Sequence, residues 1–150
     1  MQKLNLPEYD FKLRADAGNT LIFDIFRAKY LVLTPEENVR QHFTRFLIEE
    51  RGFPGAYIMT EYALSLNKMS KRCDVIVFNK NKEPVVLVEC KSPEVKITQD
   101  VFDQVARYNV VFKVSYLLVT NGLKHYCCKV DFLTGKVDFL SDIPKFEELT

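Results

Sequence analysis

Two charged residues stand where a buried strand should end. Residues 84–94 read PVVLVECKSPE: Pro84, then four apolar residues, three of them β-branched. Such a run suits a strand covered on both faces. It closes on Glu89 and Lys91, an acid and a base two apart and therefore on one face with Val85 and Leu87. Just upstream, KRCDVIVF (71–78) repeats the pattern, with Asp74, Ile76 and Phe78 on one face and Cys73, Val75 and Val77 on the other. An antiparallel pairing with Asp74 opposite Glu89 sets Asn79 opposite Pro84 and leaves Lys80 to Glu83 as the loop. A shorter loop shifts the pairing by one diagonal step and keeps both acids on the same side. Facing Cβ atoms lie ~5 Å apart and diagonal ones ~7 Å. Carboxylates held that close repel, so one must be protonated or neutralised. Lys91 offsets one charge. A divalent cation would offset both, and Mg2+ takes one or two carboxylates together with waters and phosphate oxygens. A lysine beside such an ion can orient or help deprotonate a water, or steady a phosphate charge.

The elements that must position these groups are legible around them. LTPEENVRQHFTRFLIEERGFP (33–54) carries the strongest helix signal. Thr34 suits the N-cap, Pro35 the first turn, and Glu37 three residues on completes a capping box. Val39, Phe43, Phe46 and Leu47 form an apolar stripe, and Gly52 with Pro54 ends the helix. Glu36 continues that stripe toward the sheet. A second helix, TQDVFDQVARYNVVF, is expected with Thr98 as its cap. Its inner face holds Val101, Val105 and Phe112 beside Gln104 and Tyr108, which are four apart and therefore neighbours. A glutamine on that face needs a polar partner.

Elsewhere, AYIMTEYALSL reads as a strand, NKMS as a turn, SYLLVTNG as a strand ending in a turn, and KHYCCKVDFLTGKVDFL as a hairpin bending at Thr134-Gly135. The first thirty residues read as an irregular arm, with DAGNT a turn and LIFDIFRAKYLV a strand or strand pair. SDIPKFEEL reads as a tail. The order is arm, α, β, β, β, α, β, β, β, within a single domain spanning 1–150.

Composition excludes several classes. The 150 residues are 47% hydrophobic and 27% charged, with a net charge of +1, so no global field advertises a polyanionic partner. No apolar run approaches the ~20 residues of a membrane span, and MQKLNLPEYDFKLR lacks a signal-peptide core. A soluble, cytoplasmic protein without membrane contact is expected. Cys73, Cys90, Cys127 and Cys128 show no CxxC spacing, and His42 and His125 complete no zinc pattern with them.

Taken singly, each feature has an ordinary reading. Glu89 and Lys91 could be a buried ion pair, Glu36 a helix N-terminal acid favoured by the dipole, and Gln104 a partner for a loop backbone. Taken in order, a helix acid, a strand Asp, Glu-x-Lys on the next strand and Gln-x-x-x-Tyr on the following helix resemble the PD-(D/E)XK nuclease superfamily. EENVRQHF…LIEERGFP, KRCDVIVF, PVVLVECKSP, QVARYN and YLLVTNG together look like the N-terminal nuclease domain of type I restriction enzyme R subunits, over roughly residues 34–123.

That resemblance implies a restriction-endonuclease-like α/β fold, a mixed sheet with an αβββαβ core, an N-terminal arm and a C-terminal hairpin. It implies an Mg2+- or Mn2+-dependent deoxyribonuclease of restriction-modification type, with one or two ions on Asp74, Glu89, the Cys90 carbonyl and Glu36. Lys91 would be the catalytic lysine, and Gln104 and Tyr108 would support the site and DNA contact. Arg40, Lys71, Arg72, Lys96 and Lys124 are the expected phosphate contacts. DNA, a second copy of the chain, or separate motor and specificity subunits are the implied partners. Cys73 stands where the family places proline, which leaves the chemistry untouched. The helicase-like motor that R subunits carry is not within these residues, so ATP-driven translocation is not inferred. The rival expectation is an accessory nucleic-acid-binding module that keeps the fold without catalysis.

Overall fold

The computed structural model describes residues 1–66 and 69–149, with the side chains of 61–73 and 108 left out. Strands β1 (Leu13–Asp16), β2 (Asn19–Asp24) and β3 (Lys29–Val32) form a small antiparallel sheet. Helix α1 (Pro35–Arg51) follows, then β4 (Ile58–Leu66), β5 (Met69–Phe78) and β6 (Pro84–Cys90). Helix α2 (Gln99–Phe112) leads to β7 (Tyr116–Thr120), β8 (His125–Val130) and β9 (Val137–Leu140). The second sheet runs β4-β5-β6-β7-β8-β9, and all its pairs are antiparallel except β6 with β7, across the α2 crossover. No helix among the described residues is long and apolar enough to cross a membrane.

The central strands are apolar on both faces because each face is covered. Val75, Val77, Val86, Val88 and Leu118 pack with Val39, Phe43 and Leu47 of α1. Ile76, Leu87, Leu117 and Val119 pack with Val101, Val105 and Phe112 of α2. Helix α1 obeys its punctuation: the Thr34 hydroxyl accepts from the Glu37 N–H at 3.1 Å, Pro35 opens the first turn, and Gly52 closes it at φ 70°. The capping box is only half made. The Thr34 N–H goes to the Val32 carbonyl, and the Glu37 carboxylate turns to Arg40 and Gln41 instead. Thr98 begins α2, but its hydroxyl caps nothing.

The expected arm is better organised than its reading. All three of its strands are regular, and DAGNT is a two-residue hairpin turn in which Ala17 and Gly18 both have positive φ, 48° and 83°. Register in the main sheet also departs once. Val75 faces Val88 and Ile76 faces Leu87, as expected, but a bulge after Val77 brings Phe78 rather than Asn79 opposite Pro84. Val85 therefore joins the α1 side, away from Leu87. The NKMS turn falls partly on 67–68, outside the described residues.

The TNG segment has a structural task. Gly122 sits at φ 84°, and a Cβ there would lie 2.7 Å from Leu4 Cδ2 and 2.9 Å from Val39 Cγ2. Its carbonyl receives the Asn5 N–H at 2.8 Å, fastening the N-terminus onto the main sheet. Gly122→Ala should lower unfolding free energy by about 1–3 kcal/mol, read from urea denaturation.

Candidate active site

The β5–β6 ladder, continued one step past Val75 and Val88, sets Asp74 opposite Glu89 on the α2 side. Asp74 Oδ2 accepts the Cys90 N–H at 2.7 Å, tying the two strands at the site. Beyond it, Lys91 Nζ lies 3.2 Å from Glu89 Oε1 and donates to Gln104 Oε1 at 3.4 Å. Gln104 thus finds the polar partner its inward position demanded. The site joins the middle of β5, where its pairing with β6 stops, the end of β6 and the inner face of α2. Glu36, in the first turn of α1, is exposed yet close enough for its charge to act on Asp74, Glu89 and Lys91.

The acids are held against their preference. Burial, then Glu89, pushes the Asp74 carboxyl up to about 7; Glu36 adds to this, while the Cys90 N–H and Lys91 oppose it. Burial also raises Glu89, against the pull of Lys91. Lys91 moves up as well, because Glu89, Asp74 and Glu36 together outweigh its own burial. A cluster with more negative charge than its one lysine balances suits a small dication. Its donors are hard carboxylate oxygens, which fit Mg2+ or Mn2+ rather than a soft metal. Among the described residues, no group of three or more His, Cys, Asp or Glu side chains is arranged to hold a metal ion. Two carboxylates and a backbone carbonyl would leave positions for water and a phosphate oxygen, as Mg2+ sites commonly do. The Cys90 thiol is buried in the α1-side core and raised well above its usual range, so only its backbone could serve an ion.

The flanks of the site were less legible. Lys91 N–H bonds the Thr120 carbonyl at 2.8 Å, and Asn121 Nδ2 donates to the Val95 carbonyl at 2.8 Å, bracing the turn that follows Lys91. Thr120 Oγ1 accepts the Gly122 N–H and lies 2.7 Å from His125 Nδ1, whose other nitrogen meets the Asn5 carbonyl. Thr120 and Asn121 thus brace the segment around Lys91, and their only trace in the sequence is a polar pair ending an apolar strand. The cavity of about 400 Å³ beside α2, lined by Phe102, Ala106, Leu117 and Phe139, includes none of the charged cluster.

Expected phosphate contacts separate into three groups. Lys96 and Lys124 are exposed, as that role requires. The side chains of Lys71, Arg72 and Tyr108 lie outside the described residues. Arg40 is corrected: it is buried, with Nη2 bonded to Asp24 Oδ2 at 2.9 Å and paired with Glu37, out of reach of a phosphate. Burial pushes Asp24 up, but Arg27 and Arg40 outweigh it and hold the carboxyl below its usual range. This cluster docks the small sheet on α1, and its sequence signal was an aspartate inside the apolar LIFDIF run. Arg40→Ala should cost about 3–5 kcal/mol, since it strips a buried partner from Asp24, and urea unfolding reads the loss.

No curated protein matches the sequence. The chain superposes on a fragment described as an HsdR subunit of a type I restriction enzyme from Vibrio vulnificus, with TM-score 0.56 and 22% identity over 78% of this chain. That likeness speaks for the fold, a restriction-endonuclease-like mixed α/β architecture, and the chain spans about a quarter of its length, 24%. The family described as "Type I restriction enzyme R protein N terminus (HSDR_N)" matches residues 35–144, which include both helices and every strand of the larger sheet. On that match, the chain belongs to the family of type I restriction enzyme R-protein N-terminal domains.

Proposed function

We propose that the chain is a metal-dependent endonuclease of the PD-(D/E)XK type, hydrolysing phosphodiester bonds of DNA. The observation that carries this reading is the convergence of Asp74, Glu89 and Lys91 where the β5–β6 pairing stops, with acidic charge in excess. Asp74, Glu89 and the Cys90 carbonyl would hold Mg2+ or Mn2+, and Glu36 its outer waters. The bound ion would supply a Lewis acid for the phosphate and a more acidic water.

The chain's own residues do the remainder. Glu89 holds the Lys91 ammonium at 3.2 Å, and Gln104 bounds it from α2. Lys91 is charged at neutral pH, so its first task is to draw a phosphate oxygen and steady the charge that develops there. It turns toward water activation only when Glu89 is engaged elsewhere and releases it. The Asp74–Cys90 bond fixes the end of β6 against β5. Lys96 and Lys124 stand available for DNA backbone contacts. Because the match covers only 24% of the HsdR chain, we take a motor and specificity partner, or a second copy of the chain, as the setting in which both strands are cut.

Incubating the protein with single-stranded, duplex and branched DNA tests the reading. Cleavage should occur with Mg2+ or Mn2+ and stop with chelator. Failure with every substrate and both metals would favour the non-catalytic module.

A further inference from the structure

We propose that the outer face of the β1-β2-β3 sheet is a binding platform for single-stranded DNA. This sheet lies before the family match at residues 35–144. Its inner face carries Ile22 and Asp24, both buried. Strand alternation turns Lys12, Arg14, Leu21, Phe23, Tyr30 and Val32 to the other side. The register arranges them in two rows: Lys12 beside Phe23 beside Tyr30, then Arg14 beside Leu21 beside Val32.

The chemistry of that face is specific. The Phe23 and Tyr30 rings meet edge to face at 5.2 Å, both partly exposed. The Arg14 guanidinium lies 4.4 Å from the Tyr30 ring centre, and Lys12 Nζ 5.7 Å from that of Phe23. Neither cation forms an ion pair among the described residues, and Asp16, at the hairpin end, is the lone acid on that face of β1. Flat rings, a guanidinium plane and unpaired cations in adjacent rows match unstacked bases joined by phosphates. A duplex hides its base faces, which is why the proposal names a single strand. DNA rather than RNA rests on the nuclease reading.

The platform is also coupled to the acids. Its β3 runs into Thr34, fixed by the Leu33 N–H to the Thr20 carbonyl, and Glu36 follows within α1. Asp24 clamps the sheet to Arg40 on the same helix. A strand lying across the platform is thereby held at a set place relative to the helix end that faces the cluster.

The test is fluorescence anisotropy of labelled oligodeoxythymidylate and of a labelled duplex, with chelator present so that nothing is cut. The single strand should bind more tightly than the duplex. Tyr30→Ala, Phe23→Ala and Arg14→Ala should each weaken it roughly tenfold or more. Tyr30→Leu guards against a folding defect and should weaken binding as alanine does, with an unchanged melting temperature. Equal binding by parent and variants, preference for duplex, or sensitivity to Arg14 and Lys12 alone would each overturn the platform. Because binding is read without metal, single-strand binding that fails to accompany cleavage sinks only the nuclease reading. Cleavage with binding indifferent to these residues sinks only the platform.

Discussion

Lys91→Ala should cleave DNA at least about 10²–10³-fold more slowly than the parent, the range for removing one preorganised charge from a transition state. The same variant should bind Mn2+ at least as tightly. Lys91 lies 3.2 Å from Glu89 and competes for the very carboxylate an ion would use. Its charge also opposes the rise of Asp74 and Glu89. The two expectations pull apart a catalytic role and a structural one. A lysine that merely balanced buried acids would, on removal, leave an unstable fold with little specific effect on chemistry. Metal-induced thermal stabilisation and single-turnover cleavage, run side by side, distinguish the cases. Retained cleavage in a well-folded Lys91→Ala protein would remove the lysine from the mechanism.

Asp74→Asn should stabilise the metal-free protein while destroying its response to metal. Burial and the neighbouring acids raise the Asp74 carboxyl from 3.8 to about 7. The folded state therefore binds a proton that the unfolded state has already lost between those values. Between about pH 4 and pH 7 this group makes stability fall as pH rises, and above pH 7 the whole cost is present. Asparagine keeps an oxygen to accept the Cys90 N–H but carries no charge. The variant should gain on the order of a few kcal/mol at pH 8, show a weaker pH dependence, and lose both metal stabilisation and cleavage. Denaturant unfolding at pH 5 and pH 8 without metal measures the first two. A variant less stable than the parent at pH 8 would mean that Asp74 serves the fold rather than a ligand.

Much of the framework was readable because its elements announce themselves locally. Helix α1 begins and ends at its cap residues. The central strands declare burial on both faces, and pairing them by face set Asp74 against Glu89 before any coordinates. What could not be read depends on neighbours distant in sequence. Of the three-stranded sheet, the DAGNT turn and the strand pair in 21–32 were legible, whereas β1 and the closing of all three strands into a sheet were not: the strands are short, four, six and four residues, and the second turn places Ala28 at positive φ, where glycine would have been the signal. That omission caused the misreading of Arg40. On an isolated helix the residue faces solvent, and only the docking of the small sheet, with Asp24, buries it. The bulge beside Pro84 was likewise invisible, because alternation alone cannot register an extra residue. Thr120 and Asn121 gained meaning only when β7 lay parallel to β6 and the Lys91 turn came against them.

The most direct measurement is the anomalous difference density of crystals grown with Mn2+ at neutral pH. The account predicts a peak in contact with the carboxylates of both Asp74 and Glu89, absent when Glu89 is replaced by glutamine. Density showing Mn2+ elsewhere, or these two carboxylates engaged only with Lys91 and backbone at saturating metal, would contradict it.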